Sequence, residues 1–167
     1  MASPRPIVGE QLPTAVIASI PAVRPDFSGL WQLSVDKSTF RGPAPKDILV
    51  RIQHREPTLI QTMVIVAVDG GEQQQTFTFD TTGGASPNVV GGREVQIRAH
   101  WSDSELVIES VLSTPNGTFE FRDHWSLSSD GQTLRMAHID DPLAGQVAVL
   151  ERAAPERAAS FSANRDA

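Results

Sequence analysis

Between residues 26 and 152, apolar and polar positions alternate in short runs broken by turn residues. The runs are Phe27–Val35, Ile48–His54, Thr58–Val68, Glu72–Thr81, Arg93–Ser102, Glu105–Leu112, Thr118–Ser128, Thr133–Asp140 and Gln146–Arg152, with a short tenth at Asn88–Val90. A period of two puts alternate side chains on opposite faces of a strand. Arg55-Glu56-Pro57, Asp69-Gly70-Gly71, Asp103-Ser104, Pro115-Asn116-Gly117 and Ser129-Asp130-Gly131 separate the runs. Such turns join antiparallel neighbours, because parallel strands need crossovers of a dozen or more residues. No run has the length and period of a long helix. The pattern predicts an all-β fold, an antiparallel up-and-down β-barrel of about 9–10 strands, since closure removes exposed edges. A two-sheet sandwich is the alternative.

Each turn also predicts a register. A loop at Asp130-Gly131 sets Leu127 opposite Leu134, Trp125 opposite Met136 and Asp123 opposite His138. A loop at Asp103-Ser104 pairs Trp101 with Leu106, Ala99 with Ile108 and Val95 with Leu112. A loop at Gly70-Gly71 pairs Val64 with Phe77, Thr62 with Phe79 and Val66 with Gln75. A three-residue loop at Arg55-Glu56-Pro57 pairs Ile52 with Ile60 and Val50 with Thr62. One inward face satisfies all four turns, and a slip of one residue would turn it outward. The other face carries Arg51, Gln53, Gln96, Arg98, Glu109, Glu120, Arg122 and Arg135, which suits solvent.

Polar residues on the inward face are the candidates for function. They are His54, Thr62, Gln75, Ser110, Asp123 and His138. Opposed side chains have Cβ atoms ~4.5–5.5 Å apart, so Asp123 and His138 can hydrogen-bond. A buried Asp needs such a partner for structural reasons alone. The same pair can also orient a His tautomer and let it act as base or acid. A barrel of this size can hold one small, largely apolar ligand in its mouth. Ile52, Val64, Phe77, Phe79, Phe119, Phe121 and Met136 would supply apolar contact, with Gln75, Asp123 and His138 at its polar end. His54, at a rim before the Pro57 turn, is a further binding candidate. An alternative is a cofactor-independent isomerase or cyclase that folds a polyene or enone, with Asp123 and His138 as catalytic handles. A third is a filled barrel acting as an interaction domain. Either ligand reading expects a cavity of at least ~300 Å³ reaching Asp123 and His138.

Composition narrows the chemistry. The chain has 167 residues, 40% apolar and 20% charged, enough for one domain with a core. Having no Cys, it cannot form disulfides, thiolate metal sites or a Cys nucleophile. A net charge of -6 argues against a nucleic-acid partner. With the arginines facing outward, it also makes a fatty carboxylate a less natural guest than a neutral or cationic one. No His-x-x-x-His, Glu-x-x-His, Gly-x-Ser-x-Gly or phosphate-cradling Gly loop occurs, so neither metal nor cofactor is expected. No apolar run reaches the ~18 residues of a transmembrane span. Residues 1–25 read as a tail, or as a lid with Leu12, Val16, Ile17 and Ile20 on one side. They show no clear signal peptide, so a cytoplasmic location is weakly favoured. Residues 153–167 are Ala-rich and charged, and read as a disordered tail.

Phe27-Ser28-Gly29-Leu30-Trp31-Gln32-Leu33 contains a Gly-x-Trp motif. It resembles the first strand of lipocalins and fatty-acid-binding proteins, the calycin barrels. Further segments resemble a family of small bacterial lipocalin-like proteins: Asp36-Lys37-Ser38-Thr39-Phe40, His54-Arg55-Glu56-Pro57-Thr58-Leu59, Trp101 with Leu106-Val107-Ile108-Glu109-Ser110, and Trp125-Ser126-Leu127-Ser128-Ser129-Asp130-Gly131-Gln132-Thr133-Leu134. The similarity covers about residues 26–152. It implies that Trp31 plugs the closed end of the barrel and that Gly29 lets chain pack closely there. It implies a fold more than a chemistry. Two features depart from these families. The export signal usual in the bacterial proteins is not evident. The helix–turn–helix lid of fatty-acid-binding proteins has no room between Asp36 and Asp47.

Overall fold

In the computed structural model, residues 24–139 and 145–161 are described. The suggested lid at Leu12–Ile20 lies outside them. Ten strands form one sheet: β1 Gly29–Leu33, β2 Asp47–Arg55, β3 Thr58–Val66, β4 Glu72–Asp80, β5 Ser86–Val90, β6 Arg93–Ser102, β7 Glu105–Thr114, β8 Gly117–Leu127, β9 Thr133–His138 and β10 Val147–Arg152. Their order is β4-β3-β2-β1-β10-β9-β8-β7-β6-β5, all neighbours antiparallel. The result is an up-and-down, nearly closed barrel. β1 joins the first and last parts of the chain by pairing with both β2 and β10.

The remaining seam lies between β4 and β5, and a side chain bridges it. The Thr78 N–H donates to Asn88 Oδ1 at 2.8 Å, and Asn88 Nδ2 donates to the Thr78 carbonyl at 3.0 Å. The Asn carboxamide thus substitutes for the peptide of a paired strand. Asn88 is buried, as a group that satisfies edge backbone should be.

The register agrees with expectation in one half of the barrel and departs from it in the other. β6–β7 and β8–β9 pair as predicted, including Ala99 with Ile108 and Asp123 with His138. β2 and β3 are joined by only two residues, Glu56 and Pro57, through a cis peptide. Arg55 therefore pairs with Thr58, and Ile52 faces Gln61 rather than Ile60. The β3–β4 turn is Val68-Asp69-Gly70, closed by Ala67 N–H to the Gly71 carbonyl at 2.8 Å. Leu59 and Gln61 therefore pair with Phe79 and Phe77. These corrections reverse the facing of β3 and leave that of β4 unchanged. Leu59, Gln61 and Met63 point inward. Thr62 and Val64 point outward, against expectation.

The C-terminal segment also departs from expectation. Pro155–Ser160 forms a 3₁₀ helix rather than a disordered tail. It is tied to the barrel's outside by Arg157 Nη2 to Asp47 Oδ2 at 2.7 Å. The Arg51 guanidinium lies 4.7 Å from the Phe161 ring. Near these contacts Leu49 and Val64 oppose each other across β2 and β3, outside the lumen but buried.

Candidate functional site

The lumen has a filled end and a hollow end. Trp31 fills one end, fully buried, its indole N–H donating to the Phe27 carbonyl at 3.0 Å. The Arg152 guanidinium covers its ring at 3.9 Å and donates to the Ser28 carbonyl at 2.7 Å. Gly29 adopts φ +142°, and any Cβ there would collide with that guanidinium. Phe27, His54 and Trp101 stack on one another with centroids 5.8–5.9 Å apart. Phe79 and Trp125 meet edge to face at 5.7 Å and form the floor between plug and cavity.

His54 belongs to the plug. Its side chain is only 3% exposed. The Phe27 N–H donates to its Nδ1 at 3.2 Å, which puts the imidazole proton on Nε2, 3.5 Å from Glu56 Oε1. Glu56 also accepts from Trp101 Nε1 at 2.6 Å and from the Thr81 hydroxyl. Burial pushes the Glu56 carboxyl up, but these donors outweigh it and hold the group below the usual carboxylate range. The Ser28 N–H does the same for Asp26, donating at 2.9 Å.

Above the floor lies a cavity of about 270 Å³, just under the expected size. Phe77, Phe79, Met63, Met136, Ile97 and Ile108 form most of its apolar wall. Its polar lining is Gln61, Ser110, Asp123, His138 and Gln146, with no Lys or Arg among the described residues. His138 Nδ1 lies 2.5 Å from Asp123 Oδ1. The two come from opposed positions on β8 and β9, so the ladder itself brings them together. His138 is 12% exposed at its side chain, and its Nε2 is buried with no hydrogen-bond partner among the described residues. Ser110 does not reach that nitrogen, so the described residues assemble no nucleophile–base pair there. The Phe121 ring tilts against the imidazole at 5.7 Å.

Of the predicted site residues, Phe77, Phe79, Met136, Asp123 and His138 converge on the cavity. Phe121 touches the site through His138. Five do not line it. Val64 faces outward because the β2–β3 turn is one residue shorter than expected. Ile52 is packed in the core cluster with Trp31. His54 is in the plug rather than at an open rim. Phe119 is 45% exposed, near the end of β8 beyond the lumen. Gln75 keeps its inward register beside Met63 but is not part of the cavity wall.

Sequence reasoning missed Gln61 and Met63 through the same turn. It also missed Phe40 and Gln146. Thr39 and Val147 exchange backbone hydrogen bonds at 2.8 Å outside the named strands. That bridge sets Phe40 and Gln146 side by side at the cavity, with Arg41 N–H donating to Gln146 Oε1 at 3.3 Å. No protein-family model matches the chain, and a search of curated proteins finds no match. Among the described residues, no group of three or more His, Asp or Glu could hold a metal ion.

Proposed function

We propose that the protein binds a small, largely apolar molecule in the hollow end of its barrel, with the molecule's polar end at His138. The observation that carries this reading is a buried Nε2, without a partner among the described residues, on an imidazole that lines the cavity. Leaving such a group unsatisfied costs about 1–3 kcal/mol. A bound guest would remove that cost. Asp123 holds the other ring nitrogen, so the imidazole presents a defined edge to the cavity. The wall is mostly aromatic and thioether, surfaces that accept apolar guests. The cavity lies just below the roughly 300–1,000 Å³ of drug-sized sites, which favours a compact guest. The Gly29-x-Trp31 plug supports kinship with lipocalin-like barrels.

Native mass spectrometry of protein purified from its own host tests this reading. Wild type should carry a small adduct. Met136→Trp, which fills the cavity, should not. A wild-type protein that carries no adduct and takes up no compact apolar compound would refute it.

The cyclase or isomerase alternative draws on the same free Nε2, a base within reach of a guest's proton. Unchanged turnover of an enone or polyene by His138→Ala would remove the pair from any such mechanism.

A further inference from the structure

The polarity of the site restricts the guest more than its size does. We infer that the cavity selects an uncharged hydroxyl compound, best a phenol, that donates its O–H to His138 Nε2. This rests on the binding reading above.

Three observations lead there. The first is the tautomer. A carboxylate oxygen of Asp123 stands 2.5 Å from Nδ1. A carboxylate only accepts, so Nδ1 carries the proton, and in the neutral imidazole Nε2 keeps its lone pair. Nε2 is buried and has no partner among the described residues. The complementary group on a guest is therefore a donor. A ketone, ether or ester would set lone pair against lone pair.

The second is charge. Among the described cavity-lining residues Asp123 is the only acid, and no Lys or Arg accompanies it. A carboxylate or phosphate guest would meet a like charge with no cation to offset it.

The third is the wall. Phe40, Phe77, Phe79 and Trp125 present rings to the cavity, and Met63 and Met136 lie among them. Phe77 and Phe79 stack at 6.3 Å, nearly parallel at 6°. Flat aromatic guests gain offset-stacked, edge-on and sulfur contacts there that an alkyl chain does not. A phenol combines that body with a single O–H.

Four compounds of similar size separate the contributions: 4-ethylphenol, ethylbenzene, acetophenone and benzoate. Their affinities for the full chain are read by isothermal titration calorimetry and Trp fluorescence. 4-Ethylphenol should bind at least ~10-fold tighter than ethylbenzene or acetophenone, since a site with a buried acceptor rejects guests that leave it unpaired. Benzoate should bind weakest. Ethylbenzene binding as tightly as 4-ethylphenol would overturn the donor rule and leave the binding reading intact. Acetophenone or benzoate in first place would overturn it too. If none of the four binds, the cavity reading fails and this inference with it.

Two variants sharpen the outcome. His138→Phe should bring 4-ethylphenol and ethylbenzene to equal affinity. Asp123→Asn allows the carboxamide to hold the opposite tautomer, as an amide in place of a triad carboxylate does. It should narrow the gap between 4-ethylphenol and acetophenone, and an unchanged gap would overturn the assignment of Nε2 as acceptor. The wild-type series decides the matter even if either variant folds poorly.

Discussion

His54 and His138 sit at opposite ends of one lumen, each beside a carboxylate, and both rings are largely buried. At His54 a protein group stands at each edge, although Nε2 makes no hydrogen bond among the described residues. Nδ1 takes the Phe27 N–H, Nε2 faces Glu56, and Phe27 and Trp101 pack on the ring. At His138 only one edge is occupied, and the other belongs to a cavity. A histidine next to an acid is therefore not in itself a site. Neither Nε2 makes a hydrogen bond among the described residues; what separates the two is that Glu56 Oε1 stands 3.5 Å from the one, while a cavity lies beside the other. His54 contributes to the fold, and His138 offers the fold a contact still to be made.

The largest effect should come from emptying the plug. Trp31→Ala should cost about 3–5 kcal/mol, as large aromatic truncations do. Guanidinium unfolding measures this, and a cost below about 1 kcal/mol would show that the Arg152-covered indole does not hold the closed end.

The histidines themselves give the sharpest contrast. His54→Ala strands the Phe27 N–H and opens the aromatic stack, so it should cost about 1–3 kcal/mol. His138→Phe loses one hydrogen bond to Asp123 but fills cavity, so its stability should stay within about 1 kcal/mol of wild type. The same variant should lose the preference for hydroxyl guests. Equal destabilisation by both substitutions would erase the distinction between the two ends.

Acid should act on the plug more gently. Glu56 and Asp26 are held below their ordinary values near 4.5 and 3.8. Groups depressed in the folded state stabilise it fully above those values and lose that contribution as pH falls through the lower folded ones. Stability should therefore decline between about pH 5 and pH 2. Trp fluorescence can follow the decline, since Trp101 donates to Glu56. Glu56→Gln should flatten the curve. A slope unchanged by that substitution would place the acid response elsewhere.

The same contrast appears in what could be read ahead of the structure. In β6–β9 the turn residues left one parity, and apolar positions marked one face clearly. The Asp123–His138 pair was legible for that reason. In β3 nearly every residue of Thr58–Val66 is apolar or small and polar, and both faces are buried: Leu59 and Gln61 inside, Thr62 and Val64 outside. Alternation carries no information where both faces leave water, so it does not fix the length of the β2–β3 loop to within one residue. The β3–β4 turn differs from the expected one by an odd step as well, so parity returns in β4 and Phe77 and Phe79 face inward as expected.

Sequence alone narrowed the strand number to nine or ten and determined the antiparallel order and the Asp123–His138 juxtaposition, because those follow from local periodicity and short turns. Tertiary structure decided which lumen positions are packed and which are hollow. His54 became part of a plug because Phe27 and Trp101, 27 and 47 residues away, close on it. Phe40 and Gln146 entered the cavity through a bridge between segments more than a hundred residues apart. Asn88 sealed the seam with a side chain that carries no periodic signal. These depend on how non-neighbouring segments meet, and volume left over by packing has no signature along the chain.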